Sequence, residues 1–233
     1  MTRKSAAFLM LSFVLIACGA TGSRYFGPLN DWDISCGADQ GSITKSADTW
    51  IFKTSDNYCS GGTFNQRAEI NTENYSTRRE GDFLFSSNVA MTAPRNNEYS
   101  IFSIHDGRNG CAPPLQLFVR PDGRMYISSD VKTGPGESCV RGFIGGTSPD
   151  RVLRDGTEQL LQVLVQFDGA GSFDVTVWLD NEPQIQGTYS PSANPAAILS
   201  ERFYFKHGVY SKNVFEYELR SRNMQVSQWA EGL

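Results

Sequence analysis

The run Phe203-Tyr204-Phe205-Lys206-His207-Gly208-Val209-Tyr210 separates two kinds of chemistry when it is read as an extended strand. Successive side chains of a strand point to opposite faces. Tyr204, Lys206 and Tyr210 then share one face, with Gly208 leaving a gap between them. Phe203, Phe205, His207 and Val209 share the other. The second set makes a core face, and parity assigns His207 to it as a packed, structural histidine. The first set offers a cation and two phenols along a shallow surface.

Working outward, the same alternation recurs between glycine, asparagine and proline turns. Residues 47–53, 64–70, 81–89, 98–105, 115–120, 124–129, 160–168, 172–179, 202–210 and 213–220 all read as strands. Asp122-Gly123 and Asp168-Gly169 are hairpin signals. Residues 149–158 suggest a short helix, and 189–199 a loop rich in proline, serine and alanine. Ten strand candidates exceed the seven of the simplest immunoglobulin sandwich, and the Cys-Trp-Cys pattern of that fold is missing. The expected fold is all-β: a β-jelly roll, a two-sheet antiparallel sandwich with a groove on one curved sheet.

The first residues read as a targeting segment. Arg3 and Lys4 precede a nearly continuous apolar run over 6–17 that is short for a membrane span. The run ends in Leu15-Ile16-Ala17-Cys18-Gly19, which resembles the lipobox of bacterial lipoproteins, in which the cysteine is lipidated. The expected division is a signal peptide over 1–17, a tether over 18–30 and one domain over 31–233. The protein would then be exported, either anchored to the cell envelope through Cys18 or, after a plain secretory cleavage nearby, released. Membrane contact is expected only through that lipid, and the chain is expected to be a monomer. Setting Cys18 aside leaves Cys36, Cys59, Cys111 and Cys139, an even set that an exported chain can oxidise. Sequence order suggests Cys36–Cys59 and Cys111–Cys139, though three pairings are possible. With no close cysteine pair, and with His105 and His207 the only histidines, the spacing does not resemble a zinc site.

The formal charge of −4 argues against nucleic acid as a partner. A mildly acidic protein acting on a polyanion would need a local basic groove, so individual cations matter. Arg67 and Glu69 share a strand face opposite Ala68 and Ile70. They suit either an ordinary surface ion pair or a guanidinium held ready for a carboxylate. His105 ends the strand Tyr99–His105 on the face opposite Phe102 and Ile104, as a general base near neutral pH or as an ordinary surface histidine. Lys206 and Tyr210 complete a surface suited to an anionic polymer lying across a sheet. No G-x-S-x-G motif occurs, and Asp174 and Glu182 are too weakly placed to argue for a glycosidase pair.

Three segments, Gln66-Arg67-Ala68-Glu69-Ile70, Ser103-Ile104-His105 and Tyr204 to Tyr210, together resemble the alginate-lyase superfamily of β-jelly-roll polysaccharide lyases, which includes the glucuronan lyases. The last segment is the most specific, since members carry a closely similar YFKxGxY run. The resemblance implies cleavage of 4-O-linked uronate polymers by β-elimination, with no metal or other cofactor. It implies that Arg67 stabilises the substrate carboxylate with Glu69 holding the site, and that His105 contacts the uronate and acts as base for one C5 configuration. It implies that Tyr210 protonates the leaving oxygen or acts as base, and that Lys206 binds substrate, with Tyr204 beside it. The sequence departs from the family pattern in two places. Ser103 stands where a carboxylate-neutralising glutamine is usual, and Asn71 where a second arginine is usual. Asn88 or Gln116 on neighbouring strands could supply the missing donor. These departures leave alginate, glucuronan and related uronans open as substrates. They also leave open a non-catalytic carbohydrate-binding, lectin-like protein that stacks sugars on Tyr204, Tyr126 and Trp178.

Overall fold

A computed structural model describes residues 30–73 and 80–229. Cys18 and the apolar run before it lie outside the described residues. Apolar–polar alternation works as expected where a strand separates a core from solvent. Over Asp155–Asp168, Leu161, Val163, Val165 and Phe167 are buried while the residues between them are partly or fully exposed. Each such strand must bury its apolar face against another layer, and the result is two seven-stranded antiparallel sheets.

The first sheet runs β1 (Asp33–Ile34), β4 (Gln66–Asn71), β13 (Tyr204–Ser211), β6 (Tyr99–His105), β7 (Leu115–Val119), β8 (Met125–Lys132), β9 (Cys139–Ile144). The second runs β12 (Glu182–Tyr189), β11 (Phe173–Leu179), β10 (Asp155–Asp168), β5 (Glu80–Thr92), β14 (Glu218–Trp229), β3 (Thr49–Lys53), β2 (Ile43–Ser46). The core lies between the sheets. Phe85 of β5 meets Phe102 of β6 at 4.8 Å between ring centres, and Phe83 meets Phe205 of β13 at 5.7 Å. The expected all-β jelly-roll sandwich is the observed architecture.

His207 lies in this core, as parity requires. It is fully buried and touches the rings of Phe52 and Phe85. Its Nδ1 lies 2.9 Å from the Ile101 carbonyl, which can only accept, so Nδ1 carries the proton and Nε2 accepts from the Ser221 hydroxyl at 2.6 Å. Burial pushes its pKa down to about 3, opposed by the Ile101 hydrogen bond. A neutral, doubly bonded imidazole thus pins β13 of the first sheet to β14 of the second.

Several elements differ from expectation. Residues 149–158 form no helix: Arg151 bridges to Arg124 and β10 already begins at Asp155. The strand expected over 213–220 starts instead at Glu218. Phe215 N–H donates to the Gln66 side chain and Tyr217 N–H to Thr54 Oγ1, so side chains satisfy this backbone while it crosses between sheets. Strands β9 and β12 were not anticipated, because Gly142, Pro183 and Gly187 weaken their patterns. Both are edge strands, where such residues are tolerated. Disulfides join Cys36 to Cys59 and Cys111 to Cys139, the pairing that sequence order suggests.

Gly208 is a backbone requirement. The pairing of β13 with β6 shifts between His207 and Tyr210, and Gly208 takes φ of +132°. A Cβ there would fall 2.2 Å from the Ala68 carbonyl oxygen and 2.8 Å from Glu69 Cα. Gly208→Ala is therefore expected to lower stability by about 1–3 kcal/mol, seen as a lower urea midpoint with an unchanged slope. An unchanged midpoint would show that the bulge does not need glycine.

Candidate active site

Cross-strand register converts the groove face of the first sheet into rows of side chains. One row reads Arg67, Tyr210, Ser100, Phe118, Tyr126 across β4, β13, β6, β7 and β8. The next reads Asn71, Lys206, Ser103, Gln116, Ser128, Phe143 and reaches β9. Beside Lys206, Tyr204 stands opposite His105. Arg67, Asn71, His105, Gln116, Tyr204, Lys206 and Tyr210 all line one groove of about 1160 Å³ that crosses the strands. The three segments singled out in the sequence thus converge on one site.

The floor holds a buried cluster of charges. Glu69 Oε2 lies 3.4 Å from Arg67 Nε and 3.8 Å from Lys206 Nζ, with side-chain exposures of only 9%, 9% and 4% for Arg67, Lys206 and Glu69. The surface-pair alternative for Arg67 and Glu69 is thereby corrected: loops cover the floor, so the pair is buried. Among the described residues Glu69 is the carboxylate within ion-pair distance of either cation. Two cations against one carboxylate leave one positive charge for an incoming anion. Arg67 Nε makes that ion-pair contact without a hydrogen bond, and has no hydrogen-bond acceptor among the described residues, while Nη1 lies 3.5 Å from the Cys36 carbonyl.

The Tyr210 phenol oxygen accepts hydrogen bonds from the Thr63 and Phe64 N–H groups, each at 3.0 Å, and Thr63 Oγ1 lies 3.4 Å away. The Arg67 guanidinium sits 4.4 Å from the centre of the Tyr210 ring, and the Phe64 ring 4.7 Å from it. Loop 57–65 supplies the two amides. It is closed by Asn57 N–H to the Asn65 carbonyl and by the Asn57 side chain to the Phe64 carbonyl, and the Cys36–Cys59 disulfide ties it down. The sequence reading missed these amides because backbone donors have no residue signature.

His105 is partly buried and stacks on Tyr204, with ring centres 5.5 Å apart. Burial first, then the charges of Lys206 and Arg67, hold its pKa well below the usual histidine value. Its ring is therefore neutral, and able to accept a proton, at neutral pH. Burial and the nearby Glu73 carboxylate raise the Tyr204 phenol, which stays protonated.

Asn71 cannot stand in for a cation. Its Nδ2 donates to Ser35 Oγ and its Oδ1 accepts from Glu73 N–H, so both ends of the amide serve the local chain. The Ser103 hydroxyl is buried and has no partner among the described residues. Gln116, directly opposite Ser103, carries an amide on the same face, in the row that holds Lys206. Asn88, the other candidate donor, belongs to β5 in the second sheet and is removed from the groove. Of the three rings considered for sugar stacking, Trp178 is on β11 of the second sheet and lines a separate shallow depression. Tyr204 lies against His105, and Tyr126 stacks on Phe118. The three do not form one surface.

No family model matches the sequence, and no curated protein matches it. Solved structures do. Alginate lyase A1-II′, a member of polysaccharide lyase family 7, superimposes with a TM-score of 0.59 at 14% identity, covering 87% of this chain and 96% of that one. Its fold is that of the alginate lyases. The alginate lyase from Klebsiella pneumoniae gives 0.57 at 16% identity, with coverages of 87% and 96%. The alginate lyase from Pseudomonas aeruginosa gives 0.56 at 15%, with 87% and 100%.

The electrostatic reading is testable on the resting protein. In an NMR titration His105 should titrate well below the ordinary histidine range. Lys206→Ala should raise its pKa, because the imidazolium then no longer meets that positive charge. An unchanged or lowered value would show that Lys206 does not act on the ring.

Proposed function

We propose that this protein is a polysaccharide lyase that cleaves 4-O-linked uronate polymers by β-elimination. The observation that carries this reading is the convergence of a surplus cation, a neutral imidazole and a supported phenol in one groove. The acidic sugar's carboxylate lies against Arg67 and Lys206, with the Gln116 amide supplying the donor that Ser103 is too short to offer. Removing the C5 proton pushes negative charge onto that carboxylate, and fixed donors aimed there lower the barrier. His105 takes the proton from C5, the C5 electron pair forms the C4=C5 double bond, and the C4–O4 bond breaks. Tyr210 gives its proton to the departing O4. The charge left on the phenol oxygen is met by the Thr63 and Phe64 amides and by Arg67 over the ring. For the opposite C5 configuration Tyr210 also serves as base. Water takes no part in bond cleavage.

Glucuronan and mixed uronans suit the altered donor set as well as alginate does, since Asn71 brings no charge and Gln116 reaches from a different strand. We further propose that the protein is exported, with Cys18 lipidated or with its leader cleaved nearby, and acts as a monomer. The two disulfides fit an oxidising compartment.

The direct test is incubation with alginate, glucuronan and neutral glucans while following the ultraviolet absorbance of the new double bond. Absorbance should rise on at least one uronan and on no neutral glucan. Tyr210→Phe should lower kcat by roughly 10²-fold or more with a much smaller change in KM. Binding without any rise on any uronan would assign the groove to a carbohydrate-binding protein instead.

A further inference from the structure

The second of the two rows across the sheet continues past the buried centre to an edge that the cleavage chemistry does not use. Phe143 lies on β9, the outermost strand, and is 73% exposed, the largest exposure among the described large hydrophobic residues. It is not a loose side chain. Its ring rests 5.9 Å from that of Tyr126, which stacks on Phe118 at 5.2 Å with 12° between planes, and Phe118 in turn contacts Phe64 beside Tyr210. A continuous line of rings therefore props Phe143 at the rim of the groove.

Register places Phe143 on the groove side. It pairs with Ser128, and Arg141, two residues earlier on the same face, pairs with Asp130. Ser128, Arg141 and Asp130 all line the groove. Tyr210 on β13 and Phe143 on β9 are four strand spacings apart, on the order of 19 Å, several sugar units from the cleavage point. The groove lining along this stretch offers no surplus cation: Arg141 faces Asp130, and Glu137 adds a second carboxylate in the groove wall. No unmatched positive charge is left among these groups to hold a polyanion. A flat, exposed, buttressed ring offers instead a surface for the apolar face of a pyranose.

Resting on the lyase reading above, we propose that Phe143 is a distal sugar-stacking subsite, which holds the uronan chain several residues from the cleavage point and makes the protein prefer long polymer to short oligosaccharide. The occupant is the same chain whose uronate sits over Arg67 and Lys206, continued toward β9.

The test measures affinity for a long uronan and for a short uronate oligosaccharide, alongside the ultraviolet assay. Phe143→Ala should weaken binding of the polymer roughly tenfold relative to the short ligand. Phe143→Trp, which keeps a flat ring, should restore it, and Phe143→Leu, which keeps only apolar bulk, should not. The loss should be nearly the same at low and high salt, because the contact is apolar. An unchanged ratio of polymer to oligosaccharide affinity, or full rescue by leucine, would overturn the subsite, as would failure of the wild type to prefer the polymer. Because affinity is read separately from turnover, absence of product on every uronan would strike the lyase reading, while an unchanged affinity ratio with product formed would strike the subsite alone.

Discussion

Everything at the centre of this molecule depends on Glu69 being shared. A buried carboxylate with one cation would close its charge balance and leave an inert floor. With both Arg67 at 3.4 Å and Lys206 at 3.8 Å, the cluster carries a net positive charge in a place where water screens it poorly. Leaving such a charge unanswered is costly in a folded protein, and the cost is offset when an anion arrives. The same surplus acts on its neighbour, since Lys206 and Arg67 reinforce burial in keeping His105 unprotonated. One electrostatic arrangement thus leaves a positive charge open to an anion and keeps the neighbouring imidazole neutral, the state that the proposed proton abstraction requires.

The scaffold serves that arrangement at short range. Strands β4 and β13 are buried along their whole lengths, with the core on one side and the loops framing the groove on the other. The bulge at Gly208 brings its backbone against Ala68 and Glu69, where no side chain fits. His207 fixes the core side of β13 through Ile101 and Ser221. On the groove side, the loop closed by the Cys36–Cys59 disulfide presents two amides to the Tyr210 oxygen, and the Cys36 carbonyl lies beside Arg67. Phenol and guanidinium are thus placed by the same covalent tie.

Parity made much of this legible in the sequence. The period of two put Lys206 and Tyr210 in the groove and His207 in the core, and it put Arg67 and Glu69 together opposite Ala68 and Ile70. Parity carries no information about which strands are neighbours. Asn88 and Gln116 look equivalent in the chain, yet pairing sends one to the second sheet and sets the other opposite Ser103. Burial was equally hidden: Arg67 and Glu69 read as surface groups because the loops that cover them come from distant segments. The strand expected over 213–220 failed for a different reason. Gln66 and Thr54 side chains satisfy backbone groups that a ladder would otherwise have claimed.

The central claim is that the unshared positive charge on the groove floor selects the carboxylate of an acidic sugar. The most direct measurement is calorimetric titration of the Tyr210→Phe protein with a uronate oligosaccharide and with the same oligosaccharide after reduction of its carboxyl groups to primary alcohols. The account predicts that the acidic ligand binds, that its affinity falls with salt, and that the reduced ligand binds at least tenfold more weakly. Equal affinity for the two ligands would contradict it.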